Sequence, residues 1–149
     1  MVLLWPLVSQ AQAVHSFNER MVVMKSTKMF ANAEILHNLP YEAISATLDK
    51  DTTGTVTENG RKILKAGTLL AGDAKSVFED RSKKVKKLTN DASAAYVDGV
   101  LLYDADVTDG DAHVSLVYRG TLREDKVNGG TVEANVKAKL PHIQFVNGV

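Results

Sequence analysis

The sequence predicts a mainly β domain, a small barrel or sandwich, with one short C-terminal α-helix and an extended N-terminal arm. Three observations carry this prediction. Short apolar runs, some with strict alternation, recur at irregular spacing between breaks rich in Gly, Asp and Asn. Near the C-terminus Val132, Val136 and Leu140 share one face at helical spacing. Lys25–Tyr41 mixes apolar and polar residues with no sustained period.

The expected organisation is a leading segment 1–23, an arm 24–42 and a β-domain 43–149. Met1–Val8 followed by Ala11-Gln12-Ala13 imitates a signal peptide, but no Lys or Arg precedes the apolar run and Pro6 interrupts it. The run is also too short to span a bilayer. Glu19-Arg20 is encodable as a purine-rich, ribosome-binding-like string, so the preferred reading is a start at Met24, or second Met21, with 1–23 an over-extended reading frame; a signal peptide and a genuine arm are the alternatives. The arm carries Met29, Phe30, Ile35 and Leu36 ahead of the first convincing strand, and Pro40 closes it. Either the domain's own core covers these side chains, or they dock on a partner by adding a strand to an exposed edge.

Ile44, Ala46 and Leu48 mark one face of a strand over Ala43–Leu48. Asp49–Gly60 reads as turn and exposed edge. Arg61–Leu70 reads as two strand pieces around a Gly67 bend, and Ala71–Asp80 as loop. Arg81–Leu88 fits both helix and strand, with the extended form preferred. Gly99–Tyr103 is a buried strand. Asp104–Asp111 is a turn in which Asp109 and Gly110 are the structural residues, since Gly accepts positive φ without steric cost. In Ala112–Leu122, Val114, Leu116 and Tyr118 face one way and His113, Ser115, Val117 and Arg119 the other. After Asn128-Gly129-Gly130, Thr131 is the expected N-cap of the helix, Pro141 stops it, and Ile143–Val146 is a final strand.

The chain has 149 residues, no cysteine and zero formal net charge. Such a length suits one domain, and the missing thiols exclude disulfides and thiolate metal sites. Zero net charge argues against bulk attraction to nucleic acid. The zero hides a segregation: Arg61–Lys87 holds nine Lys or Arg against three acids, and Asp91–Asp125 holds eight acids against two arginines. These stretches are either two solvated faces that neutralise each other in the fold, or complementary patches for a neighbour.

No catalytic, cofactor or metal constellation is legible. Asp104, Asp106, Asp109 and Asp111 fit no EF-hand register, because Val107 or Asp109 falls where a ligand or Gly is needed. His15, His37, His113 and His142 lack metal-ligand spacing. No serine elbow or phosphate loop is present. The basic run Arg81, Lys83, Lys84, Lys86, Lys87 has no interleaved aromatic residue for base stacking. A charged edge strand is the plainer reading of it.

The stretch Gly99-Val100-Leu101-Leu102-Tyr103-Asp104-Ala105-Asp106-Val107-Thr108-Asp109-Gly110-Asp111 resembles the signature of phage head decoration proteins. The alternating strand running to Arg119-Gly120, the upstream Lys65–Gly72 segment, and the helix followed by Ile143-Gln144-Phe145-Val146 resemble the same family in the same order. The likeness spans roughly Ile44–Val146. It implies a β-clip-like domain, no enzymatic activity, no cofactor, and a virion structural role on the capsid exterior after synthesis in the host cytoplasm. It implies the major capsid protein as partner, a homotrimer or trimeric cluster, and no nucleic-acid or membrane partner. Met29, Phe30, Ile35, Leu36, Arg81, Lys83 and Lys84 are the capsid-contact candidates. The alternative is a carbohydrate- or host-binding head fibre or accessory virion protein.

Overall fold

The computed structural model describes residues 35–147. These residues belong to one compact unit. The segment 1–23 and the contact candidates Met29 and Phe30 therefore lie outside the described residues.

The domain is mainly β. Its strands are β1 (Glu42–Leu48), β2 (Val56–Glu58), β3 (Arg61–Leu64), β4 (Leu69–Gly72), β5 (Val85–Lys87), β6 (Gly99–Leu101), β7 (Ala105–Asp106), β8 (Ala112–Arg123) and β9 (Ile143–Val146). One short helix, α1 (Ala134–Lys139), precedes β9. Five strands close a ring in the order β1-β5-β4-β6-β8, and β8 returns to β1. The long β1–β8 seam is antiparallel, while β1 meets β5 in parallel at Leu48 and Val85. A second, three-stranded sheet runs β2-β3-β7.

Strand β8 organises the domain. Its first half lies between β1 and β6, through Leu116 and Val117. Its last residues pair with β9 in parallel, while Leu122 also bridges to Leu36 on the other edge. Both faces of the central strands are covered, which explains their runs of adjacent apolar residues. Leu48, Leu64, Leu70, Val85, Leu101 and Leu116 point into one cluster, the barrel interior. Their chain neighbours Leu69, Val100, Leu102 and Val117 point the other way. There they meet Val132, Val136, Leu140 and Ile143, so α1, the residues flanking it and β9 cap the outer face.

Ile35 of the arm is 2% exposed and packs in the outer cluster. Across the Asp-rich turn β6 and β8 pair antiparallel, while β7 leaves the connection to pair with β3. Several expectations require correction. The alternation of β8 breaks at Tyr118: Glu42 pairs with Arg119 but Ala43 with Val117, leaving one extra residue as a bulge. Val117 is fully buried on the second face. Thr131 does not cap the helix. Residue Glu133 occupies the N-cap without a side-chain bond, because Thr131–Glu133 stays extended while Val132 enters the core. In Arg81–Leu88 only Val85–Lys87 is strand.

Candidate interaction surface

The four carboxylates of the Asp-rich connection are all engaged within the domain. The Asp104 carboxylate accepts from the Ala66 N–H at 2.8 Å and from Lys65 at 3.4 Å. Arg61 donates through Nε to Asp106 and through its terminal nitrogen to Asp109 at 2.9 Å. Asp111 accepts from the Lys50 N–H at 2.9 Å and pairs with Lys84 at 2.7 Å. The connection is thereby clasped to β3, to the turn after β1 and to the approach to β5. Gly110 takes φ of 152° with open space where a Cβ would sit, so its role is conformational.

These pairs also account for the charge segregation. The basic and acidic stretches meet through Arg61, Lys65 and Lys84, so much of the opposite charge is neutralised inside one molecule. Exposed ion pairs add little stability individually; here they fix the path of a loop. The Thr108 hydroxyl, the Arg61 guanidinium and the Thr108 N–H hold Asp106 down at about 2. Lys84 and the Lys50 N–H depress Asp111 as well.

A carboxylate held below its unfolded value of about 3.9 stabilises the fold above that value and stops doing so as it protonates. The Asp106 contribution should thus be complete at neutral pH and disappear as pH falls from about 4 to about 2. Thermal melts of the Asp106→Asn protein should show a shallower acid decline than the parent across that window. Parallel declines would mean that the clasp does not contribute.

The basic candidates are only partly available. The Arg81 guanidinium donates to the Ser45 carbonyl at 2.8 Å, tying its loop to β1. Lys84 is the partner of Asp111. Lys83 is half-buried and forms no ion pair among the described residues. Of the apolar candidates, Ile35 is core and Leu36 packs against the same cluster. For these two the domain's own core provides the cover.

A different surface collects exposed apolar groups. Phe78 is 49% exposed and meets Tyr118 edge-on, with ring centroids 5.4 Å apart. The pair borders a hollow of about 330 Å³ closed by Val97, Leu140, Pro141 and His142. His142 also lines a neighbouring hollow of about 330 Å³ with Pro40, Tyr41 and Arg119. Leu39, just before it in the chain, is 73% exposed. Exposed aromatic and aliphatic groups beside shallow hollows are the usual material of a protein-contact surface. Sequence reasoning missed Phe78 because it lies in a stretch without strand periodicity.

Among the described residues no group of three or more His, Asp or Glu is placed to hold a metal ion, and no helix is long and apolar enough to cross a membrane. Compared with protein-family models, curated proteins and solved structures, the chain has no match.

Proposed function

We propose that this chain is a structural decoration, or cement, protein that seats on the exterior of a mature phage head and stabilises it. The observation that carries this reading is the ordered likeness of Lys65–Gly72, Gly99–Asp111, the strand to Arg119-Gly120 and Ile143–Val146 to head decoration proteins. Its support is that these segments form one connected unit. The Gly67 N–H donates to the Leu101 carbonyl at 2.8 Å, Asp104 accepts from Ala66, and Gly120 begins the pairing with β9. The carboxylates of Asp104–Asp111 are engaged in internal bonding, so the partner contact is sought outside that stretch.

The proposed contact is the Phe78–Tyr118 surface with Leu39, facing the major capsid protein, with Met29 and Phe30 of the arm as further candidates. Lys83 is the basic candidate with neither an ion pair nor a side-chain hydrogen bond among the described residues. Binding selectively to the expanded lattice stabilises it by mass action, and many copies, as trimers or trimeric clusters, multiply a modest contact. A glycan-binding head fibre is the second reading; the exposed Phe78 ring would then be a stacking face for sugar.

Co-sedimentation with shells of the same phage's major capsid protein tests the proposal. The full chain should bind expanded shells far better than unexpanded ones. Phe78→Ser should weaken binding by roughly tenfold or more, as loss of an aromatic anchor does, with little change in melting temperature. Equal binding to both shells would remove selectivity for the mature head. Absence of binding, with retention on a glycan array, would favour the fibre.

A further inference from the structure

We infer that Asn59 is a site of spontaneous covalent conversion to aspartate and isoaspartate, and that Asn128, although also followed by Gly, keeps its amide. The inference is independent of the proposed function.

The sequence contains Asn59-Gly60, Asn128-Gly129 and Asn147-Gly148. Gly148 lies outside the described residues, which leaves two pairs to compare. A following Gly matters because its bare backbone nitrogen reaches the preceding side-chain amide without a Cβ in the way. The Gly60 nitrogen, deprotonated by solvent base, attacks Cγ of Asn59. A carbon–nitrogen bond forms and closes a five-membered imide. The side-chain carbon–nitrogen bond breaks, and the amide nitrogen leaves as ammonia, taking up the displaced proton. Water then opens the imide. Cleavage of the Cγ–nitrogen bond leaves an aspartate with a normal backbone. Cleavage at the main-chain carbonyl leaves an isoaspartate, whose peptide bond runs through the side chain. Water is the only co-reactant, and nothing is oxidised or reduced.

The two sites differ in what holds them. Asn59 and Gly60 form the two-residue turn of the β2–β3 hairpin, with φ of 51° and 77° between paired Glu58 and Arg61. Both are exposed, and nothing lies within 4 Å of where a Gly60 Cβ would sit. Neither the Asn59 side-chain amide nor the Gly60 N–H has a hydrogen-bond partner among the described residues. The left-handed backbone at Asn59 is not the attacking geometry, so the turn must open first. That opening is local, because β2 is exposed throughout and pairs with β3 alone among the described strands.

Asn128 is anchored instead. Its side-chain nitrogen donates to Asp91 at 2.7 Å and to the Thr131 carbonyl at 3.1 Å. Its own N–H donates to the Gly67 carbonyl at 2.9 Å. Attack there requires breaking bonds that tie three segments of the domain together. Conversion in the folded protein should lag Asn59 by roughly tenfold or more.

The products have predictable consequences. Aspartate adds a negative charge beside Arg61 and Lys62. Isoaspartate adds a methylene to the main chain, which the two-residue turn cannot absorb while Glu58 stays paired with Arg61. Arg61 in turn clasps Asp106 and Asp109, so damage at the turn reaches the Asp-rich connection.

The test is incubation of the full chain at mildly alkaline pH, followed by peptide mapping and an isoaspartyl methyl-acceptor assay. Asn59 should convert progressively while Asn128 remains an amide. In urea the two should convert at similar rates, showing that the fold and not the dipeptide discriminates. Asn59→Gly, which keeps a turn-compatible residue, should remove the acidic species that peptide mapping assigns to the β2–β3 turn and leave any from Asn147-Gly148 unchanged. Retention of the Asn59 amide under conditions that convert the urea-unfolded chain would overturn the inference. So would equal conversion at Asn128 in the fold, or an undiminished acidic species in Asn59→Gly.

Discussion

Asp98→Ala is expected to lower the unfolding free energy by about 3–5 kcal/mol, because it strands buried donors that this side chain satisfies. Asp98 is 2% exposed. It accepts from the Gly72 N–H at 2.6 Å, the Val77 N–H at 3.0 Å and the Ser76 hydroxyl. The loop from β4 to Val77 folds over this oxygen pair so closely that a Cβ on Gly72 would sit 2.2 Å from the Lys75 carbonyl. The Tyr96 hydroxyl closes the arrangement by donating to the Gly72 carbonyl at 2.6 Å. A buried carboxylate is costly unless several donors compensate it, and here three do. Removing it leaves two backbone N–H groups without partners and opens a polar void. Asp98→Asn should lose less, since one amide oxygen still accepts while the NH2 opposes a donor. Ser76→Ala should lose about 1 kcal/mol. Urea unfolding with an unchanged slope is the appropriate measurement. A loss under 1 kcal/mol for Asp98→Ala would show that the loop is not held through this residue.

Asp98 also marks where the sequence stops being legible. Its role depends on Gly72, Ser76 and Val77, more than twenty positions away, and no local pattern announces such a pairing. Local signals fared well. The Ile44-Ala46-Leu48 face of β1, the two strand pieces around Gly67 and the last strand are where the sequence pattern placed them, and Val132, Val136 and Leu140 are all buried, although only Val136 lies within the helix. The bulge at Tyr118 was not readable from β8, because only the partner strand reveals the extra residue. Thr131 is a good capping residue by type, but burial of Val132 keeps its neighbours extended. Asn59-Gly60 was readable and went unused: this dipeptide between two extended segments is the strongest short hairpin signal. The candidate surface was illegible for a further reason. Charge counts located the basic and acidic stretches and offered their mutual neutralisation as one reading but not which residues pair, and Phe78 becomes conspicuous only once the fold leaves it exposed beside Tyr118.

The two-faced packing of the central strands makes a quantitative prediction about how core mutations combine. Leu101 and Leu116 are register partners on β6 and β8, both fully buried in the barrel interior. Val136 of α1 is equally buried, but in the cluster across the sheet. Leu116→Ala alone should cost about 3–5 kcal/mol and Leu101→Ala a similar amount, since neighbouring strands cannot collapse into the space. The double replacement should not equal the sum. The two cavities merge, and contacts already lost in one variant cannot be lost again, so the coupling should exceed about 0.5 kcal/mol. Leu116→Ala combined with Val136→Ala should instead add within about 0.5 kcal/mol, because the sheet separates the sites. Denaturant unfolding of the two cycles decides the matter. If the combined protein is too unstable to measure, Leu→Val and Val136→Ala replacements give the same comparison at smaller amplitude. Strong coupling of Leu116 to Val136 would mean that the sheet yields when one side is emptied, and that the domain behaves as a single core. Additivity there, with coupling across the barrel interior, would establish two cores held apart by β4, β6 and β8, the strands whose adjacent apolar residues face opposite ways.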